Sequence, residues 1–223
     1  MVFKKEYLSQ CGAIVFYAAL LFSGAGSCLW LEGWFFLFLL VCLNFAIDAH
    51  NNVYLLIARS HALYGVPSSF GHRVSMTILG LLALCWILSN GLDTVRYQVT
   101  EITFLYQCLG AVASIVCLIA TYWVIEWNYS TAVVVRSQER EQNTTLVMGP
   151  YSRIRHPMYL MSCLFLPSAS LMMASILGLL ISMLFVIWTC IHIYFEDKLL
   201  QQHIPRYKQY AQKVRYRLIP YVY

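Results

Sequence analysis

The chain has 223 residues, of which 60% are hydrophobic, 15% aromatic and only 11% charged. Its mean hydropathy of +0.64 excludes an ordinary soluble domain, and the apolar residues fall in long uncharged runs of the kind that cross bilayers. The net charge of +5 is modest, and the basic residues flank the apolar runs, which argues for orientation in a membrane and against a nucleic-acid partner.

Residues 1–10 form a polar lead. A short first span is expected over Cys11–Ala25 and a second over Cys28–Ile47, joined tightly through Ser23-Gly24-Ala25-Gly26-Ser27. Lys4-Lys5 precede the first run, but no small-residue cleavage pattern follows it, so the first helix is expected to stay. Glu32 sits beside Trp30 and Trp34 at the expected interface, where the amphipathic indole ring is favoured. Asp48–Arg73 is the longest polar connection of the first half. A short interfacial helix over Val53–Ala58 fits there, broken at Gly65-Val66-Pro67. Val74–Leu92 reads as the third span, Asp93–Glu101 as a polar loop and Ile102–Ile125 as the fourth span.

A strongly polar stretch, Arg136–Met148, leads into Gly149-Pro150-Tyr151-Ser152-Arg153-Ile154-Arg155-His156-Pro157-Met158-Tyr159. Proline suits the first position of a helix, where its missing N–H would be unpaired in any case. His156-Pro157 therefore marks the start of a membrane helix. The apolar stretch 157–195 is about 58 Å long as helix, against about 30 Å of hydrocarbon core, which predicts two spans with a reversal near Met173–Ile176. Both ends of that hairpin lie at one face, so His156, Tyr159 and Glu196 should be neighbours. A carboxylate there needs a cation or an exit to water, and Arg153 and Arg155 are the cations within reach.

With six spans and the N-terminus inside, Arg96 alone of the fifteen Lys and Arg falls outside, as the positive-inside rule requires. The expected architecture is an all-α integral membrane protein of about six transmembrane helices, with cytoplasmic N- and C-termini and the last two helices forming a hairpin. It is read as one domain, 1–223, with a four-span part (1–125) and a second part (126–223) carrying the hairpin 157–195 and a basic, tyrosine-rich tail. The tail either anchors to lipid headgroups or closes the site. The eight Cys lie in or beside apolar runs without a Cys-x-x-Cys pair and read as buried small hydrophobes. No His or carboxylate spacing suggests a metal site.

Gly149-Pro150-Tyr151, Arg155-His156-Pro157-x-Tyr159, the hairpin, Glu196-Asp197-x-x-Leu200, Tyr207-x-x-Tyr210 and Val214-Arg215-Tyr216-Arg217-Leu218-Ile219-Pro220 together resemble the isoprenylcysteine carboxyl methyltransferase family, in its bacterial membrane branch. The resemblance runs from about Asn128 to the C-terminus and, more weakly, includes Trp30-Leu31-Glu32-Gly33-Trp34. It implies an integral membrane enzyme that uses S-adenosylmethionine, bound in a cytoplasmic pocket beside the hairpin. By position, Gln138, Asn143, Thr144, Thr145, Leu146, Tyr151, His156, Pro157, Met158, Tyr159 and Glu196 would contact the cofactor. Arg153 and Arg155 would place an anionic acceptor or the cofactor carboxylate. His192 stands where the family usually has an arginine associated with the methyl acceptor, and a neutral imidazole would hold an anion less firmly.

The implied partners are membrane lipids and a lipophilic or membrane-associated acceptor bearing a carboxylate or thiol. The expected location is a bacterial inner membrane, or the endoplasmic reticulum in a eukaryote. Two other readings stand beside it. Membrane sterol reductases, which use NADPH, share the Arg-His-Pro-x-Tyr turn and a similar tail. The fold could also serve as a non-catalytic scaffold.

Overall fold

In the computed structural model, residues 2–49, 70–99, 101–137, 149–203 and 205–222 are described, and all their regular structure is helical. The helices are α1 (Val2–Ala25), α2 (Leu31–Ala49), α3 (Phe70–Gly91), α4 (Phe104–Ser137), α5 (Pro157–Met172), α6 (Ile176–His203) and α7 (Pro205–Lys213), with a π turn at Leu92–Arg96 and a 3-10 turn at Gly149–Ser152. Phe70–Arg96, Phe104–Trp127 and Ile176–His203 are long and apolar enough to cross a membrane. The apolar parts of α1, α2 and α5, at Gly12–Ala25, Leu31–Ile47 and Pro157–Met172, are shorter, about 21 to 26 Å as helix. The six apolar segments expected from sequence are thus present. The proposed interfacial helix at Val53–Ala58 lies outside the described residues.

Helix ends depart from the hydropathy reading where polar residues join a turn. α1 already begins at Val2, so the polar lead is helical. α3 begins at Phe70 and takes in Gly71-His72-Arg73. α4 runs for 34 residues to Ser137, well past the apolar run. Hydropathy marks the buried or lipid-facing part of a helix, not the point where its hydrogen bonds stop.

Residues group into two compact units. The first comprises α1, most of α2, residues 80–118 of α3 and α4 with their connection, and residues 164–185 of the hairpin. Its core holds Leu21, Trp30, Phe36, Trp86, Met172 and Met173. Trp86 Nε1 donates to Ser170 Oγ at 2.7 Å, so the indole N–H is satisfied where water is absent. The hairpin reverses at Met173–Ser175, with Ala174 at φ 58°. Thr94 Oγ1 donates to the Met173 carbonyl at 2.8 Å.

The start of α6 is then capped twice. Ser175 Oγ accepts from Gly178 N at 2.8 Å, and the buried Asp93 carboxylate accepts from Ser175 Oγ and Leu177 N, each at 2.9 Å. A carboxylate at a helix N-terminus meets both the unpaired N–H groups and the positive end of the dipole. Asp93, expected in a loop, is therefore a buried capping residue.

The second unit comprises residues 46–79, 119–163 and 186–223. Its apolar cluster joins Cys163, Ile193 and Leu218 with Tyr159, Leu160, Val186 and Cys190. Cysteine burial holds for Cys117 and Cys163, whereas Cys28, Cys42, Cys85 and Cys108 are exposed. A thiol on the outer face of an apolar helix costs little where the surroundings are hydrocarbon.

Asp93→Ala removes two accepted hydrogen bonds at a buried helix start and should lower stability by roughly 1–3 kcal/mol. Denaturant or thermal unfolding in detergent measures this, and an unchanged midpoint would show that the cap is dispensable.

Candidate active site

The site is built on the turn that precedes α5. Gly149 has φ +57°, and a Cβ there would run into the Trp127 ring, so only glycine suits both the left-handed backbone and the close indole. The 3-10 turn follows, with Ser152 Oγ donating to the Gly149 carbonyl at 2.6 Å. Pro157 is the first residue of α5, and the His156 carbonyl accepts the first helical bond from Leu160 N at 3.2 Å, as the sequence predicts.

Asp197 is the hub of the second unit, fully buried at 0% exposure. Arg155 Nη1 donates to Asp197 Oδ1 and Oδ2 at 2.8 and 2.7 Å. Tyr207 Oη donates to Oδ1 at 2.7 Å, Gln201 Nε2 to Oδ2 at 2.9 Å and Arg217 Nε to Oδ2 at 3.2 Å. His156 Nε2 stands 3.6 Å from Oδ1. Arg155 Nη2 also donates to the Arg215 carbonyl at 3.1 Å. A buried carboxylate needs this many donors to offset its lost hydration.

The tail closes over the same turn. Arg155 N donates to Tyr216 O at 3.0 Å and His156 N to Arg217 O at 2.9 Å. Tyr210 Oη donates to Tyr151 O at 2.7 Å. Burial, aided by the charge and hydrogen bond of Asp197, pushes the Tyr207 phenol well above its ordinary value. Burial does the same to Tyr151, with the charge of Glu196 adding to it, and to Tyr210, with Tyr151 adding to it. All three phenols are therefore proton donors at neutral pH.

The next residue on α6 faces a different group. His192, itself at 0% exposure, has Nδ1 3.1 Å from Ser75 Oγ and Nε2 3.1 Å from Tyr159 Oη. Nε2 is also 3.5 Å from Glu196 Oε2. The His72 ring lies 5.1 Å from the His192 ring, and Tyr159 is 5.8 Å from His156, centroid to centroid. Glu196 Oε2 is buried and has no hydrogen-bond partner. A proton on His192 Nδ1 would be accepted by Ser75, leaving Nε2 open to the Tyr159 hydroxyl.

The predicted residues thus sort themselves. Tyr151, His156, Pro157, Tyr159, His192 and Glu196 share the second unit with Met158, which is half-buried at the start of α5. Arg155 is engaged by Asp197, and Arg153 is exposed. Gln138, Asn143, Thr144, Thr145 and Leu146 lie outside the described residues. Asp197, Tyr207, Tyr210 and Arg217 stood among the motif residues quoted from sequence but were given no site role, and Ser75 was not singled out. The Glu196-Asp197 doublet and the Tyr207-x-x-Tyr210 repeat were the visible signals, whereas nothing near Ser75 marked it.

Residues 104–206 match the family model for phospholipid methyltransferase. The match starts with α4 and spans the turn, the hairpin, His192, Glu196 and Asp197. It upholds, at the level of a family, the membrane methyltransferase resemblance read from the sequence. No curated protein and no solved structure matches the chain.

Asp197→Ala would leave the buried Arg155 guanidinium unmatched and should cost about 3–5 kcal/mol. Limited proteolysis after the basic tail residues should then become faster. Tyr207→Phe, which removes one hydrogen bond, should cost only about 1 kcal/mol. Equal tail protection in Asp197→Ala and the unaltered protein would contradict the hub role.

Proposed function

Starting from a segment that matches a phospholipid methyltransferase model, we propose that this chain is a multi-pass membrane methyltransferase that takes its methyl group from S-adenosylmethionine. Its acceptor is a lipophilic, membrane-held molecule. The observation that carries this reading is the Glu196 Oε2 atom, buried without a well-formed hydrogen bond and with His192 Nε2 3.5 Å away. The cofactor's α-ammonium would supply the missing donors. Tyr151 and the His156–Tyr159 turn would hold the rest of it, with their rings suited to a sulfonium or an adenine face. Gln138 and Asn143–Leu146 are proposed to complete that contact set. When bound, the cofactor presents an electrophilic methyl for in-line displacement.

The chain's own part is to align, exclude water and handle a proton. Arg155 acts here as a positioning residue, because Asp197 holds its guanidinium and it in turn holds the tail. Arg153 remains the exposed cation available to an anionic group. The side chain one helical turn before Glu196 is a neutral-capable imidazole, not a fixed cation. An acceptor carboxylate would therefore be weakly held, whereas a thiol, or a headgroup amine that must shed a proton, is served by His192 Nε2 with Ser75 at its other nitrogen. The phospholipid of the matched family's name supports the amine, and the resemblance to isoprenylcysteine methyltransferases supports the thiol or carboxylate. The basic-residue asymmetry supports cytoplasmic termini, and the resemblance to the bacterial branch of the family supports a bacterial inner membrane.

Titration of detergent-purified protein should show S-adenosylmethionine binding that Glu196→Gln weakens by about tenfold or more, as loss of a charge-assisted bond implies. Binding of NADPH alone would favour a reductase, and binding of neither by folded protein a scaffold.

For an amine acceptor, His192→Gln should lower kcat by about 100-fold with little change in cofactor affinity, the size typical of a lost general base. For a carboxylate acceptor, the same substitution should leave kcat nearly unchanged.

A further inference from the structure

A second polar feature occupies the opposite side of α6. Tyr194, Asp197, Lys198, Gln201, Gln202, Lys208 and Arg217 line an open cleft of about 370 Å³. Of its cations, Arg217 is bound to Asp197 and lies 5.7 Å from the Tyr194 ring centroid. Lys198 and Lys208 are exposed, and neither pairs with a carboxylate among the described residues. Asp197, the one carboxylate lining the cleft among the described residues, is already matched by Arg155 and Arg217. Among the described residues, the cleft therefore carries an uncompensated positive charge.

The same face of α6 is apolar on the other side of Tyr194. Ile187, Ile191 and Tyr194 are 60%, 39% and 48% exposed, and they stand four and three residues apart. At about 100° per residue they form one stripe that continues into Lys198 and Gln201. His192 and Glu196 fall about 140–180° away around the helix. A cationic cleft at the polar end of a span, continuous with an exposed apolar stripe, has the two halves of a phospholipid site.

We propose that this face binds an anionic phospholipid, its phosphate against Lys198, Lys208 and Arg217 and an acyl chain along Ile187, Ile191 and Tyr194. The apolar stripe selects a lipid over free phosphate. The excess charge selects an anionic headgroup over a zwitterionic one. The lipid is not the methyl acceptor, because the helix stands between its phosphate and Glu196. It acts as a bound structural lipid that fixes α6, α7 and the Arg217 segment at the membrane surface.

The test is lipid binding by the full chain in detergent micelles, read by native mass spectrometry and by thermal stabilisation. Phosphatidylglycerol, phosphatidylcholine and inorganic phosphate are added separately. Phosphatidylglycerol should bind and stabilise, phosphatidylcholine should do so more weakly, and inorganic phosphate should do neither.

Lys198→Gln with Lys208→Gln should weaken phosphatidylglycerol about 25-fold, about 5-fold for each lysine, and weaken phosphatidylcholine much less, so that the preference between the two is lost. Lys198→Arg with Lys208→Arg should retain binding, which separates charge from folding. An equal preference for both lipids, full retention by the double Gln variant, or equal stabilisation by inorganic phosphate would each overturn the proposal. Glu196→Gln should bind phosphatidylglycerol normally, so loss of the cofactor and loss of the lipid are separate results.

Discussion

The buried Asp197 carboxylate is the constraint on which the second unit depends. Arginines from two distant segments, a tyrosine from α7 and a glutamine one turn along α6 all converge on it. Apart from Gln201 on α6, the donors come from elements with little apolar surface of their own to bury. The turn before α5 is short, and α7 is nine residues long, below the length at which a helix is stable alone. The carboxylate holds them together by hydrogen bonds that water cannot replace. Buried ion pairs are poor sources of net stability. This one earns its place by geometry, since it fixes which side chains the tail brings to His156 and Tyr159.

Glu196 and Asp197 show how one step along a helix separates two tasks. Consecutive residues point about 100° apart. Asp197 turns into a complete set of donors, whereas Glu196 turns toward His192 and the aromatic groups with one oxygen left over. A fully matched carboxylate holds structure together, and an incompletely matched one is ready for a ligand. His192 is held at both ring nitrogens by Ser75 and Tyr159. Its ring is therefore fixed in place before any acceptor arrives.

Much of the scaffold was legible in the sequence because apolar runs and proline act locally. Pro157 starts α5, and the reversal falls at Met173–Ser175, as chain length against bilayer thickness required. The neighbourhood of His156, Tyr159 and Glu196 followed from the hairpin alone. The pairing of Arg155 did not, because its partner lies forty-two residues away and Arg153, two residues earlier, is an equivalent cation by sequence. The capping role of Asp93 was hidden for the same reason, since a carboxylate after an apolar run reads as the start of a loop. Ser75 and the exposed cysteines depend on which face of a helix meets protein, and uniformly apolar helices carry no periodicity to reveal that.

The most direct test of the account is methyl transfer itself. Detergent-purified protein would be incubated with S-adenosylmethionine labelled in the methyl group and with a membrane lipid extract, and the extracted lipids counted. The account predicts time-dependent label in the lipid fraction that requires the protein and is lost in Glu196→Gln. Label that never enters lipid, with the protein folded and the cofactor bound, would contradict a membrane-held acceptor.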